Sequence, residues 1–162
     1  MERWADLLAS VNSIQQQEMQ SCEIIVVVDH NPVLCEKARI ALNNVIVVEN
    51  IGLTGLSAAR NTGVGLAKGR LIAFLDDDAI AEPDWLLKLC HWCNQPGVLG
   101  AGGRANPAWV EPRPRWFPDE FGWVVGFSHK GLPEWASKVR NVFGSGMCFH
   151  REVFEMIGGF RS

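Results

Sequence analysis

Arg70-Leu-Ile-Ala-Phe-Leu-Asp-Asp-Asp78 is the stretch on which the reading of this chain turns. Five apolar residues, Leu71 to Leu75, run directly into three carboxylates, Asp76, Asp77 and Asp78. A short continuous apolar run flanked by polar residues reads as a strand buried on both faces, as in a parallel α/β sheet. The acids then sit just past its C-terminal end, where open α/β sheets bind ligands. Three adjacent carboxylates repel one another, and a divalent ion shared with phosphate oxygens relieves that repulsion. The plainer alternative is an acidic turn that starts the next helix.

Working outward, the same grammar repeats. Glu23-Ile-Ile-Val-Val-Val-Asp29 is a second buried-strand pattern that ends in acid. Between the two lies Gly55-Leu-Ser-Ala-Ala-Arg-Asn-Thr-Gly63. It belongs to a helix over Ser57 to Lys68, stopped at Gly69. Arg60 on that helix offers a planar fork suited to phosphate or a base carbonyl, and Asn61 an amide for a loop or a base edge. Trp4, Leu7, Leu8, Val11 and Ile14 keep helical spacing over residues 3 to 18. Asn31-Pro32 opens another helix, Val45 to Val48 is a short β-branched run, and Glu82-Pro83-Asp84 starts a helix through Cys93. Val98 to Gly103 reads as a strand. Alternating strands and helices with tight loops mean α/β architecture with a largely parallel sheet. After Arg104 the pattern changes to an irregular arm, Ala105 to Glu120, rich in Pro, Trp and Arg. Phe121 to Phe127 and Val139 to Phe149 read as returning strands, and Arg151 to Ile157 as a short helix closing at Gly158-Gly159.

Composition excludes several classes. Of 162 residues 48% are hydrophobic and 20% charged, enough for one globular domain with a core. A net charge of −3 leaves no basic footprint for nucleic acid. No apolar run is long enough to span a bilayer. Five cysteines cannot close a disulfide set, which favours a reducing, cytosolic setting. Cys90-His-Trp-Cys93 lacks the further ligands a zinc site needs, so buried helix cysteines are the better reading. Gly63-Val-Gly65-Leu-Ala-Lys-Gly69 misses the third glycine of a dinucleotide fingerprint.

Four segments, V-V-V-D-H at 26–30, G-L-S-A-A-R-N-T-G at 55–63, A-K-G-R-L-I-A-F-L-D-D-D at 67–78 and I-G-G-F at 157–160, carry a resemblance over about residues 3 to 160. Together they resemble the family-two inverting glycosyltransferases, which have the GT-A fold, a Rossmann-like sandwich with helices on both faces of a central sheet. The resemblance implies a nucleotide-sugar donor, such as a UDP- or GDP-sugar, with Mg²⁺ or Mn²⁺. It makes residues 1–104 the donor-binding half and 105–162 the acceptor-side half of one domain. By the same likeness Asp29 binds base or ribose, and Arg60 with Asn61 helps hold the base or diphosphate. Asp76 lies near ribose and ion, Asp77 is the middle acid of the group, and Asp78 is the main metal ligand. Gly144-Ser145-Gly146 matches a small-residue segment on the acceptor side.

An inverting transfer also needs a general base, which the family places beyond the G-G-F segment and hence past Ser162. The family's opening strand has no counterpart before the first helix. The expectation is therefore a partial domain with an exposed sheet edge and weak turnover. Glu82, Asp84, Asp119 and Glu120 are the carboxylates available as substitutes. The acceptor is open between saccharides and lipid-linked carriers, the latter suggested by the aromatic arm, with the protein at most peripheral to the cytoplasmic membrane face. The rival readings are a nucleotidyltransferase, which would want a Gly-rich basic loop after its first strand, and a non-catalytic nucleotide-sugar-binding fragment.

Overall fold

A computed structural model describes residues 2–109 and 112–161. Val110 and Glu111, inside the expected irregular arm, lie outside the described residues. The chain runs α1 (Glu2–Gln15), β1 (Ile25–Asp29), α2 (Pro32–Ala41), β2 (Ile46–Asn50), α3 (Leu56–Leu66), β3 (Leu71–Phe74), α4 (Trp85–Cys93), β4 (Gly100–Gly102), β5 (Met147–His150) and α5 (Arg151–Ile157).

Local chemistry sets the helix ends. The Asn31 side chain accepts from the backbone N–H of Leu34 while Pro32 occupies the first turn, so α2 starts where Asn-Pro dictates. The C-terminal end of α3 is caught by Glu23, whose Oε1 accepts from the N–H groups of Lys68 and Gly69 at 2.6 and 3.0 Å. The helix therefore stops at Leu66, before the expected Lys68. In α5 the last turn closes on Gly158 with φ 81°, a left-handed conformation that glycine adopts without cost.

Side-chain alternation in β1 explains its apolar run. Val26 and Val28 join Cys35, Ala38 and Val47 in a cluster under α2, with Trp4, Leu34, Leu42 and Val45 packed around it. Val27 faces the other way, toward α3, with its Cγ2 3.4 Å from where a Cβ on Gly63 would sit. Helices thus cover both faces. Within β1 only Val28 is fully buried, however, and in β3 only Ile72 is, with Ala73 exposed. The full burial expected of both strands is not reached; among the described residues each is paired on one edge only.

β1 and β2 form a parallel pair, Ile25 beside Ile46 through Asp29 beside Asn50. β3, β5 and β4 form a separate sheet in that spatial order, antiparallel throughout. The parallel sheet read from the sequence is thus confined to the first half of the chain. The second half turns back on itself because β5 enters from the arm rather than through a crossover helix. Leu89, Cys93 and Cys148 are its buried centre, joined by Leu71, Trp85 and Ala101. Burying a side chain such as Leu89 contributes roughly 1.5–3 kcal/mol.

Of the two strands expected after the arm, one is absent among the described residues and the other is shortened. Asp119–Val125 is a 3-10 helix ending at Gly126 with φ 83°. A Cβ on Gly122 would lie 2.5 Å from the Phe127 ring, so that glycine lets the chain fold back on itself where a strand would extend. Of Val139–Phe149 only the last three residues are strand; Gly144–Gly146 is one 3-10 turn.

Candidate functional site

Asp29 closes β1, and its carboxylate accepts three hydrogen bonds. Oδ1 accepts from Asn50 Nδ2 at 2.6 Å and from His30 Nδ1 at 2.9 Å. Oδ2 accepts from the backbone N–H of Gly55 at 2.9 Å. These three donors, Asn50 first, hold the carboxyl below the ordinary aspartate range. His30 reaches it from a left-handed backbone position, φ 49°.

Gly55 is also the residue that caps the N-terminus of α3. One turn further on, Arg60 donates to Asp76 Oδ1 at 3.0 Å and to the carbonyl of Gly144 at 3.1 Å. One helix therefore joins the two acidic strand ends: its first N–H holds Asp29 and its guanidinium holds Asp76. The Arg60 side chain is 16% exposed, so it is an internal brace. Its guanidinium carbon lies 5.7 Å from the centre of the Phe160 ring. A Cβ on Gly144 would come within 2.9 Å of the guanidinium, which is why the Gly-Ser-Gly turn passes there.

Asn61, next on α3, donates Nδ2 to the Phe160 carbonyl and accepts the Phe160 N–H, both at 2.8 Å. A Cβ on Gly159 would meet the Asn61 oxygen at 2.6 Å. The I-G-G-F segment is thus a docking point for α3. Its Phe160 ring packs with Phe74 and Phe154, centroids 5.4 Å apart in each pair. The Asn61 amide is engaged in this clamp, holding a loop, one of the two uses its sequence position suggested.

The three acids past β3 separate. The N–H of Ala79 bonds to the Asp76 carbonyl, closing a tight turn. Asp76 faces Arg60, and Asp77 pairs with Arg3 of α1 at 2.8 Å in the open. Asp78 is exposed and makes no ion pair among the described residues. Beneath the turn, α1 and the residues just after it supply buried polar groups. Ser10 donates to the Asp76 carbonyl, Ser13 accepts the Ala81 N–H, and Gln17 binds the Glu82 carbonyl and the Leu86 N–H. Gln17 is 2% exposed with every one of these bonds made. Sequence reasoning missed these residues and Asn50. The available signal for Asn50 was the register of the parallel pair, which sets it directly beside Asp29.

Other candidates fall away or sit elsewhere. Among the described residues no group of three His, Cys, Asp or Glu side chains converges as a self-sufficient metal site. Desolvation pushes the Cys90, Cys93 and Cys148 thiols up, so they stay protonated and inert. Asp84, Asp119 and Glu120 are tied to Lys88, Arg113 and Lys130. A depression of about 490 Å³ between α3 and α5 is lined by residues including Asn61, Arg151, Phe154 and Glu155, and by none of Asp29, Arg60 or Asp76 to Asp78.

Two acidic strand ends are thus joined through one helix, on a GT-A fold. The chain belongs to glycosyl transferase family 2, whose description matches residues 1–158. It is 35% identical over 99% of its length to the glucosyl-dolichyl phosphate glucuronosyltransferase of Haloferax volcanii, and spans 52% of that protein. It is 27% identical over 65% of its length to the succinoglycan biosynthesis protein ExoM of Rhizobium meliloti, spanning 32% of it. Among solved structures, the mannosyltransferase PcManGT of Pyrobaculum calidifontis, in complex with GDP-Man and Mn²⁺, superposes with TM-score 0.68 at 22% identity, over 97% of this chain and 44% of that one. S. aureus TarS 1-349 superposes with TM-score 0.61 at 16% identity, over 99% of this chain and 47% of that one. The chain thus spans about half or less of the length of these relatives. None of its described helices is long and apolar enough to cross a membrane.

Proposed function

We propose that this chain binds the donor in a metal-assisted, inverting glycosyl transfer from a nucleoside-diphosphate sugar. The observation that carries the reading is the α3 bridge, which fixes Asp29 and Asp76 in one frame and leaves Asp78 open. Asp29 takes the base or ribose side. Arg60 holds Asp76, and through Gly144 it also holds the segment expected on the acceptor side.

The donor set fits a hard cation. Carboxylate oxygens suit Mg²⁺ or Mn²⁺, which take one or two protein carboxylates plus substrate phosphates. Asp78 is open, and Asp76 keeps one oxygen beyond its bond to Arg60. The ion would neutralise charge on the departing diphosphate, which lowers the transition state more than the ground state. Asp77, held on Arg3, is the least engaged of the three in this reading.

For the acceptor we favour a lipid-linked saccharide. The Haloferax relative acts, by its name, on a glucosyl-dolichyl phosphate. The arm also exposes Trp116, Trp123 and Trp135 by 60–84%, and indole rings suit a bilayer interface. In this reading the protein works at the cytoplasmic membrane face. No general base is assigned: Asp84, Asp119 and Glu120 sit in ion pairs, and hydrogen bonding holds Glu120 below the usual glutamate range, which weakens it as a base.

Differential scanning fluorimetry with UDP or GDP, in Mn²⁺ and then in EDTA, tests the reading. Stabilisation that needs the metal supports it. Equal stabilisation in EDTA removes the metal from the site. A radiolabelled donor then separates a transferase, which releases or transfers sugar, from a binder, which does neither.

A further inference from the structure

The loop after β2 is apolar where surface loops are ordinarily polar. Ile51, Leu53 and Leu56 are exposed by 59–85%. No charged residue falls anywhere in 51–59. The loop leaves β2 next to Asp29, at the end of the sheet that carries the acids. The arm leaves the fold at the same end. Its two roots are joined by the Gly103 N–H on the Gly146 carbonyl at 2.8 Å. Arg60, one turn into α3 from Leu56, holds the second root at Gly144. Loop and arm thus flank the first turn of α3.

The arm is itself a folded lobe. Trp109, Phe117 and Phe127 pack on one another with centroids 5.9–6.2 Å apart. Ser128 closes the lobe back onto Ala105 through two hydrogen bonds. That small core leaves Phe121, Trp123, Val124 and Val125 of the 3-10 helix outside, each more than half exposed. The two acids that open this helix are neutralised, Asp119 by Arg113 and Glu120 by Lys130. Over 104–140 six Lys and Arg stand against four Asp and Glu, in a chain that carries 15 against 18. Exposed apolar groups set among cations, with the nearby acids paired off, match a bilayer with anionic headgroups. We propose that the 51–56 loop and the 119–125 helix are two feet of one membrane-docking face, which seats the acidic strand ends over an anionic bilayer. This inference rests on the membrane-face reading above and adds to it the second foot and the headgroup charge.

Flotation of the full 162-residue chain with phosphatidylcholine vesicles, with and without phosphatidylglycerol, tests it. Binding should need phosphatidylglycerol and weaken as salt rises. The double variant Ile51→Ser/Leu53→Ser and the single variant Trp123→Ser should each weaken it about tenfold. Circular dichroism melts within error of the unmodified chain show that the variants fold. Ile40→Ser, at the opposite end of α2 and 77% exposed, should leave binding unchanged. A loop variant that binds like the unmodified chain, or an Ile40→Ser loss as large as its own, overturns the proposal, as does equal binding to both vesicles. If the unmodified chain does not float at all, the proposal and the membrane-face reading fail together, while the metal-dependent nucleotide shift decides donor binding on its own.

Discussion

The two acidic strand ends are built in opposite ways. Asp29 is wrapped by three hydrogen-bond donors and has little bonding capacity left. Asp76 to Asp78 are spread over three directions, one acid on Arg60, one on Arg3 and one in solvent. A carboxylate held by three donors is fixed in orientation. A dispersed triplet keeps its charge available and suits a cation that arrives with its ligand. Two sites with the same residue type thus differ by what surrounds them.

The comparison breaks most sharply at Asp78. Asp78→Ala should remove all Mn²⁺-dependent stabilisation by a nucleoside diphosphate, yet change the stability of the ligand-free protein by less than about 0.5 kcal/mol, as for other exposed positions. Fluorimetry with and without the nucleotide reads both; retained metal dependence would show that the triplet is not the cation site.

Arg60→Ala comes next. It strips a mostly buried charge pair and frees the Gly144 carbonyl, and should cost about 2 kcal/mol, or roughly 4–8 °C in Tm for a domain of this size. A loss under 1 °C would mean that α3 does not couple the two ends.

Acid unfolding sharpens the Asp29 side. A carboxyl whose folded pKa lies below its unfolded value of about 3.9 stabilises the fold above that value. The stability it contributes is lost as pH falls through the folded pKa. Wild-type stability should therefore decline below about pH 4, and Asp29→Asn should flatten that part of the profile measured by circular dichroism. The smallest effect belongs to Arg3→Ala, because an exposed pair is worth under about 1 kcal/mol. Urea titration should place it within error of the unmodified protein.

Several of these elements were legible in the residues alone. Apolar runs ending in acid located β1 and β3, Asn31-Pro32 located the start of α2, and Gly158-Gly159 the end of α5, because each signal is local and acts through backbone geometry. The motif resemblance gave the family and the GT-A fold in the same way. What the sequence could not supply were the partners. That Phe121 to Phe127 coils into a 3-10 helix depends on a ring folding back over Gly122. That Asn61 grips Phe160 and Asn50 grips Asp29 depends on residues up to 99 positions apart meeting in space. Hydrogen bonds between distant side chains leave no period or spacing in a chain. Residue order therefore determined where the charges stand, and tertiary packing alone decided which of them are already occupied and which remain open to a ligand.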